Sequence, residues 1–161
     1  NLKPKNGLKT ARMLGHITYS SEDIMDQKFG RKFQDIKSKI EGTVDYEVEN
    51  YLQYKGEKFS DTFDANSYIL MTKAMDGYDA SFSSNGSLEE VMKRIKAKLL
   101  VVGFDSDWLY PPKRSKEIQL AAMNVDVQCS CVILKGEQGH DSFLFASDRY
   151  VKIIKGFLDS K

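Results

Sequence analysis

The sequence predicts an α/β chain whose two strands belong to a larger sheet. The hydrophobic period is helical through the front half and switches to short β-branched runs near residue 98. The back half then alternates strand, helix, strand, helix, the pattern of a parallel βαβ unit. Two strands are too few for an independent sheet of that class, so an open strand edge is left for partners outside these residues.

In the front half, Leu8, Ala11, Leu14 and Ile17 give Gly7–Tyr19 a helical stripe. Ser20-Ser21-Glu22-Asp23 has the Ser-x-x-acid form of a capping box, with Gly30 as a stop. The charged stretch Arg31–Thr43 is expected to be loop or mobile helix. Three helical pieces follow: Tyr46–Tyr54 with a stop at Gly56, the short Glu57–Phe63, and Ala65–Asp76 behind an Asp64 cap. Asn85-Gly86 marks a turn, and Ser87 with Glu90 caps a helix running through Ile95.

In the back half, Lys98–Phe104 is an apolar run expected to be a strand buried on both faces. Pro111-Pro112 opens a helix to about Asn124, since proline fits a first helical turn. Val127–Leu134 is the second strand, and Gly136–Asp141 a loop. Ser147–Leu158 is a final amphipathic helix with Val151, Ile154 and Phe157 inward.

Composition narrows the function classes. The 161 residues are 41% hydrophobic and 29% charged, with 24 Lys+Arg against 23 Asp+Glu and a formal charge of +1. That belongs to a soluble globular protein, without the basic footprint of a nucleic-acid binder. The longest apolar runs, such as Leu99–Val102, fall far short of the roughly 20 residues that span a bilayer. Asn1–Lys9 lacks the apolar segment of a signal peptide, and it resembles the middle of a longer protein. Cys129 and Cys131 would share one face of a strand, near the upper distance for an unstrained disulfide and with no further cysteine to complete a metal site. They are taken as small apolar residues of a buried strand, which suits the cytoplasm; no metal and no membrane are expected.

Asp107 lies just after the first strand and His140 just after the second. In open α/β sheets ligands bind beyond the carboxyl ends of the strands, so the two groups face one crevice. The chain order acid then histidine is that of the α/β-hydrolase fold, where a nucleophile precedes both. Taken singly, an aspartate after a strand is ordinary turn chemistry and a glycine-flanked histidine is a solvated loop residue. Arg12 singly is a surface ion-pair residue, and Tyr19 a core aromatic with a wet hydroxyl.

Four blocks carry a more specific likeness: Ala11-Arg12-Met13-Leu14-Gly15-His16-Ile17-Thr18-Tyr19, Phe63-Asp64-Ala65-Asn66-Ser67-Tyr68, Ser106-Asp107-Trp108-Leu109-Tyr110-Pro111-Pro112, and Gly139-His140-Asp141-Ser142-Phe143-Leu144. In order and spacing they resemble the homoserine O-acetyltransferase family, over nearly the whole chain. The resemblance implies the carboxyl-terminal part of an α/β-hydrolase fold with an inserted helical lid. Residues 1–19 would end a core helix and bind substrate. Residues 20–96 would form the lid and a homodimer contact, and residues 97–161 the last strand-helix-strand-helix of the core. Asp107 would be the triad acid and His140 the base. Arg12 and Tyr19 would hold homoserine, Arg12 by a planar fork on the carboxylate that lysine cannot reproduce. Asp141 would receive the substrate ammonium. Acetyl-CoA is the implied co-substrate, with no permanently bound cofactor. Asp105 stands where the family more often has serine or threonine, a position not expected to carry chemistry. His16 is expected to pack or hydrogen-bond locally.

The nucleophile is missing. No Gly-x-Ser-x-Gly elbow occurs in the sequence, and Asn85-Gly86-Ser87 follows no strand, which the elbow requires. The family places its serine and oxyanion donors in an amino-terminal half that these residues do not include. The expectation is therefore a fragment inactive by itself. Alternatives are a split enzyme, a non-catalytic dimerisation remnant, a hydrolase of the same fold, or a succinyl rather than acetyl donor. Serine in place of homoserine stays open too.

Overall fold

A computed structural model describes residues 4–34, 46–145 and 147–160, and the chain divides into two compact units, Asn1–Tyr78 and Asp79–Lys161.

The first unit is helical. Helix α1 spans Lys5–Tyr19, α2 Glu22–Lys28, α3 Glu47–Thr62 and α4 Ala65–Asp76. Leu8 of α1 is buried, as are Leu52, Gly56 and Ser60 of α3, spaced four apart and so on one helical face. The expected stop at Gly56 does not occur; α3 runs straight through it. A Cβ at Gly56 would lie 2.7 Å from Lys9 Cγ and 2.9 Å from the Lys9 carbonyl oxygen. The glycine is there because α1 passes too close for any side chain, not because a helix ends. Two exposed ion pairs, Lys5–Asp61 at 2.7 Å and Lys9–Glu57 at 2.8 Å, flank this contact.

Helix α2 begins one residue later than expected. Ser21 is its cap, accepting the Ile24 N–H, while Ser20 closes α1 by donating to the His16 carbonyl at 2.9 Å. Asp64 caps α4 as expected, accepting the Ser67 N–H at 2.7 Å. His16 makes the expected local contact, sharing a hydrogen bond with Tyr51 at 3.1 Å. The stretch Arg31–Thr43 lies mostly outside the described residues. Its described start makes one antiparallel bridge, Phe33 to Tyr46, with the two rings stacked at 4.7 Å.

The second unit holds the strands. A 3-10 turn at Phe82–Ser84 leads to the short α5, Leu88–Met92, capped by Ser87 and ending before the expected Ile95. Strand β1 is Leu99–Phe104, α6 Pro112–Met123, β2 Cys129–Leu134 and α7 Asp148–Asp159. Among the described residues β1 and β2 form a two-stranded parallel sheet, in register from Leu99 opposite Cys129 to Phe104 opposite Leu134. Met92, Ala121 and Ala122 form its core, with Leu88, Leu99 and Val127 packed against them. Only the carboxyl end of β1, Gly103 and Phe104, is buried; its other residues are half-buried, short of the burial expected on both faces. Gly103 has no room for a Cβ, which would sit 2.9 Å from both Ile133 Cδ1 and Ser115 Oγ, so α6 lies directly on the strand.

Cys129 and Cys131 are free and half-buried rather than buried. Burial, then the neighbouring Cys131 thiol, pushes the Cys129 thiol above its usual range. In α7 the half-buried residues are Tyr150, Ile153, Ile154 and Phe157; Val151 is exposed, against expectation. No helix of the described residues is long and apolar enough to cross a membrane.

Candidate active site

The site is built where the two strands stop. Beyond Phe104 the chain turns, and the Asp107 N–H donates to the Phe104 carbonyl at 3.2 Å. This fold-back buries Asp107 to 7% exposure. Its Oδ1 accepts two backbone N–H bonds, from Leu109 at 3.0 Å and Tyr110 at 2.8 Å. Those bonds fix the carboxylate plane and leave Oδ2 aimed outward.

Beyond Leu134 the chain runs into a 3-10 turn, Gly139–Leu144, where sequence patterning had suggested plain loop through Asp141. Gly139 opens it with φ +68°, a left-handed conformation that favours glycine. His140 is the next residue, and its Nδ1 lies 3.0 Å from Asp107 Oδ2. An ionised carboxylate can only accept, so Nδ1 carries the hydrogen; in the neutral ring Nε2 then presents a lone pair. This is an imidazole oriented by a carboxylate, the geometry that an acid–base pair of a triad requires. The His140 ring sits between Tyr110, centroid distance 5.1 Å, and Phe143, 5.7 Å. Both of these rings are exposed, as are Trp108 and Leu144 on the same two loops.

The sequence expectation thus places two of its five residues in contact. Asp141 adjoins His140 on the same turn; it is half-buried and has no ion-pair partner among the described residues. Arg12 and Tyr19 lie on α1 in the first unit, two turns apart. Arg12 is not the surface ion-pair residue that its type alone suggests. Its guanidinium lies over the Phe59 ring, 5.0 Å from the centroid, and makes no ion pair among the described residues. Tyr19, which type alone makes a core aromatic, is 38% exposed. Ser87 caps α5, accepting the Glu90 N–H at 3.2 Å, as expected of a serine outside any nucleophile elbow.

Sequence reasoning noted Asp105 only as a departure from the family pattern and gave it no structural role. Its carboxylate accepts the Gly136 N–H at 2.8 Å and so ties the Asp107 loop to the His140 loop. It also passed over Phe59 beneath Arg12, because neither partner is visible until α1 and α3 are side by side.

No family model matches the chain. Individual proteins do. It is 48% identical over 155 residues, 96% of its length, to a homoserine O-succinyltransferase of Acinetobacter baumannii (strain AYE), and 44% identical over 158 residues to one of Marinomonas sp. (strain MWYL1). The segment is homologous to the homoserine O-acyltransferases. It spans 40% and 41% of the length of those two relatives. Among solved structures, a homoserine O-acetyltransferase from Bacillus anthracis superposes with TM-score 0.85 at 19% identity, covering 99% of this chain and 42% of that one. Esterase E22 superposes with TM-score 0.81 at 23% identity, over 97% of this chain and 43% of the other. Both are α/β-hydrolase-fold proteins, and the chain has the architecture of the carboxyl-terminal part of that fold.

Proposed function

We propose that this chain supplies the acid and base of a homoserine O-acyltransferase, with Asp107 and His140 completing a triad whose serine lies in the part of the protein not included here. The oriented Asp107–His140 pair at 3.0 Å, at the ends of adjacent parallel strands, is the observation that carries this reading. In the first half-reaction His140 Nε2 takes the serine proton as its oxygen attacks the thioester carbonyl of the acyl-CoA. The proton then goes to the departing CoA thiolate, leaving an acyl-serine. In the second, Nε2 takes the proton of the homoserine hydroxyl as that oxygen attacks the acyl-serine, then returns it to the released serine. Throughout, Asp107 holds the productive tautomer and stabilises the imidazolium without taking the proton.

Arg12 would clamp the homoserine carboxylate and Tyr19 line the same subsite, while Asp141, which forms no ion pair among the described residues, would receive the ammonium. Motif resemblance favours acetyl-CoA as donor, whereas the names of the two relatives at 44–48% identity favour succinyl-CoA. Offering the gene-encoded protein homoserine with each acyl-CoA, and weighing the product, decides the donor. Loss of turnover in His140→Ala supports the triad reading, and unchanged turnover overturns it.

The likeness to esterase E22 favours a second reading, a hydrolase of the same fold. Such an enzyme keeps Asp107 and His140 but has no need of Arg12, Tyr19 and Asp141 together. Protection of the gene-encoded protein by homoserine, lost in Arg12→Ala, separates the two. The remaining assignments belong to the same proposal: a lid over residues 20–96, a homodimer through it, a cytoplasmic location, no permanently bound cofactor, and no turnover by the 161-residue chain alone.

A further inference from the structure

We propose that Asp105 is a positioning residue for His140: its carboxylate clamps the Gly136 amide and so sets the spacing between the loop of the acid and the loop of the base. The inference rests on the triad reading above for its consequence in catalysis, but the clamp itself is a feature of the fold.

Strands β1 and β2 end in register, Phe104 opposite Leu134. One residue further on, the Asp105 N–H donates to the Leu134 carbonyl at 2.9 Å. The side chain then adds a second link, Oδ1 accepting the Gly136 N–H at 2.8 Å. Backbone and side chain of one residue thus extend the ladder past the strand ends, to where the two chains part. Asp107 follows two residues after this link on one side, and His140 four residues after it on the other.

The anchored loop has little freedom to adjust. A Cβ on Gly136 would lie 2.6 Å from Ser142 Oγ, 3.0 Å from Phe104 Cβ and 3.1 Å from Ser106 Oγ. Ser142 Oγ in turn accepts the Gln138 N–H at 3.2 Å, and Ser142 is buried. The segment from Gly136 to Ser142 is therefore folded on itself, with His140 inside it, and it is fastened to β1 through Asp105. Displacing such a packed segment carries the imidazole with it, and a shift of about 1 Å in a reacting geometry costs as much as 100-fold in rate. An ionised carboxylate on a backbone N–H is the stronger kind of hydrogen bond, which suits a link at an exposed loop base.

The test compares Asp105→Ala, which removes the acceptor, with Asp105→Asn, which keeps an acceptor oxygen and removes the charge, both in the gene-encoded protein. Two readouts are taken: kcat and KM for acyl transfer to homoserine, and the low-field proton resonance of the His140 Nδ1–H bonded to Asp107. Asp105→Ala is expected to lower kcat about 10- to 100-fold at unchanged KM, and to broaden or abolish the resonance. Asp105→Asn is expected to keep the resonance sharp and kcat within about twofold. The proposal is overturned if Asp105→Ala keeps both, or if Asp105→Asn loses as much as Asp105→Ala, since charge rather than the clamp would then matter. Should Asp105→Ala not fold, Asp105→Leu makes the same comparison. Absence of acyl transfer in the unmutated protein would refute the functional reading alone, because the resonance still reports on the clamp.

Discussion

Replacing Asp107 by asparagine keeps its shape while changing what it can do. The carboxylate accepts from Leu109, Tyr110 and His140 at once. An amide in its place offers an N–H2 where Oδ2 now accepts, so the imidazole turns to the tautomer with its hydrogen on Nε2 and loses the lone pair it needs. In the gene-encoded protein Asp107→Asn is expected to lower kcat by roughly 10⁴-fold with KM little changed, the size seen when a triad acid is altered this way. Steady-state kinetics checks it, and a loss below about tenfold would mean that the pair is structural. The second expectation at this scale concerns Arg12. Arg12→Lys keeps the charge but loses the bidentate fork and its stacking on Phe59. The KM for homoserine should rise about tenfold or more, equivalent to ~1.4 kcal/mol, with the KM for acyl-CoA unchanged. Asp107 and His140 were legible because strand ends and chain order locate them. Arg12 and Tyr19 came only from the resemblance, since in a lone sequence each has a more ordinary use.

Gly15 and Gly56, at the level of helices, show how one residue type carries opposite meanings. Among the described residues, nothing beyond its chain neighbours and its own helix backbone lies within 4 Å of a Cβ built on Gly15 of α1, whereas one on Gly56 meets the backbone and side chain of Lys9. Gly15→Ala should stabilise by about 0.5–1 kcal/mol through helix propensity. Gly56→Ala should destabilise by about 1–3 kcal/mol, because α1 and α3 must separate. Thermal melts of the two variants give shifts of opposite sign; equal shifts would refute the packing argument. The Lys9–Glu57 pair across the same contact gives a pH dependence. The hydrogen bond from Lys9 holds the Glu57 carboxyl below its usual range. A depressed folded-state value contributes stability above the unfolded carboxylate range, and that contribution is lost as pH falls through the folded value. Lys9→Met should therefore flatten part of the acid limb of stability, a small effect because the pair is exposed. Sequence patterning misread Gly56 as a stop because helix ends and close helix contacts both select glycine. It set the first cap at Ser20 because Ser20 alone has an acid three residues on, Asp23 against Ile24 for Ser21, whereas the turn leaving α1 gives the cap to Ser21. Asp64 and Ser87 stand alone before their helices and were placed correctly as caps, whereas Ser147, read as the first residue of the last helix, is its cap. Asp105 was illegible for a different reason: its partner is 31 positions away and appears only once the register of β1 and β2 is known.

For the molecule as a whole, the two-stranded sheet and the exposed apolar side chains point the same way. Leu70, Met75 and Tyr78 in the first unit are exposed, as are Trp108, Tyr110 and Leu144 in the second. Apolar area of this kind is usually covered by further protein, and the relatives are more than twice as long as the span this chain matches. An oriented acid–base pair alone contributes about 10²–10⁴-fold to a proton transfer, whereas whole enzymes reach about 10⁶-fold or more. With no Gly-x-Ser-x-Gly in the sequence, there is no elbow serine to hold an acyl group. The 161-residue chain should thus form neither an acyl-enzyme with labelled acyl-CoA nor any O-acylhomoserine, while the gene-encoded protein does both. It should also bind more of an apolar-sensing dye per chain than the gene-encoded protein does. Mass spectrometry of the chain after incubation with acyl-CoA is the direct check. A stable acyl adduct on one of its own residues, abolished by His140→Ala, would place a nucleophile within this segment and overturn the division of the triad argued here.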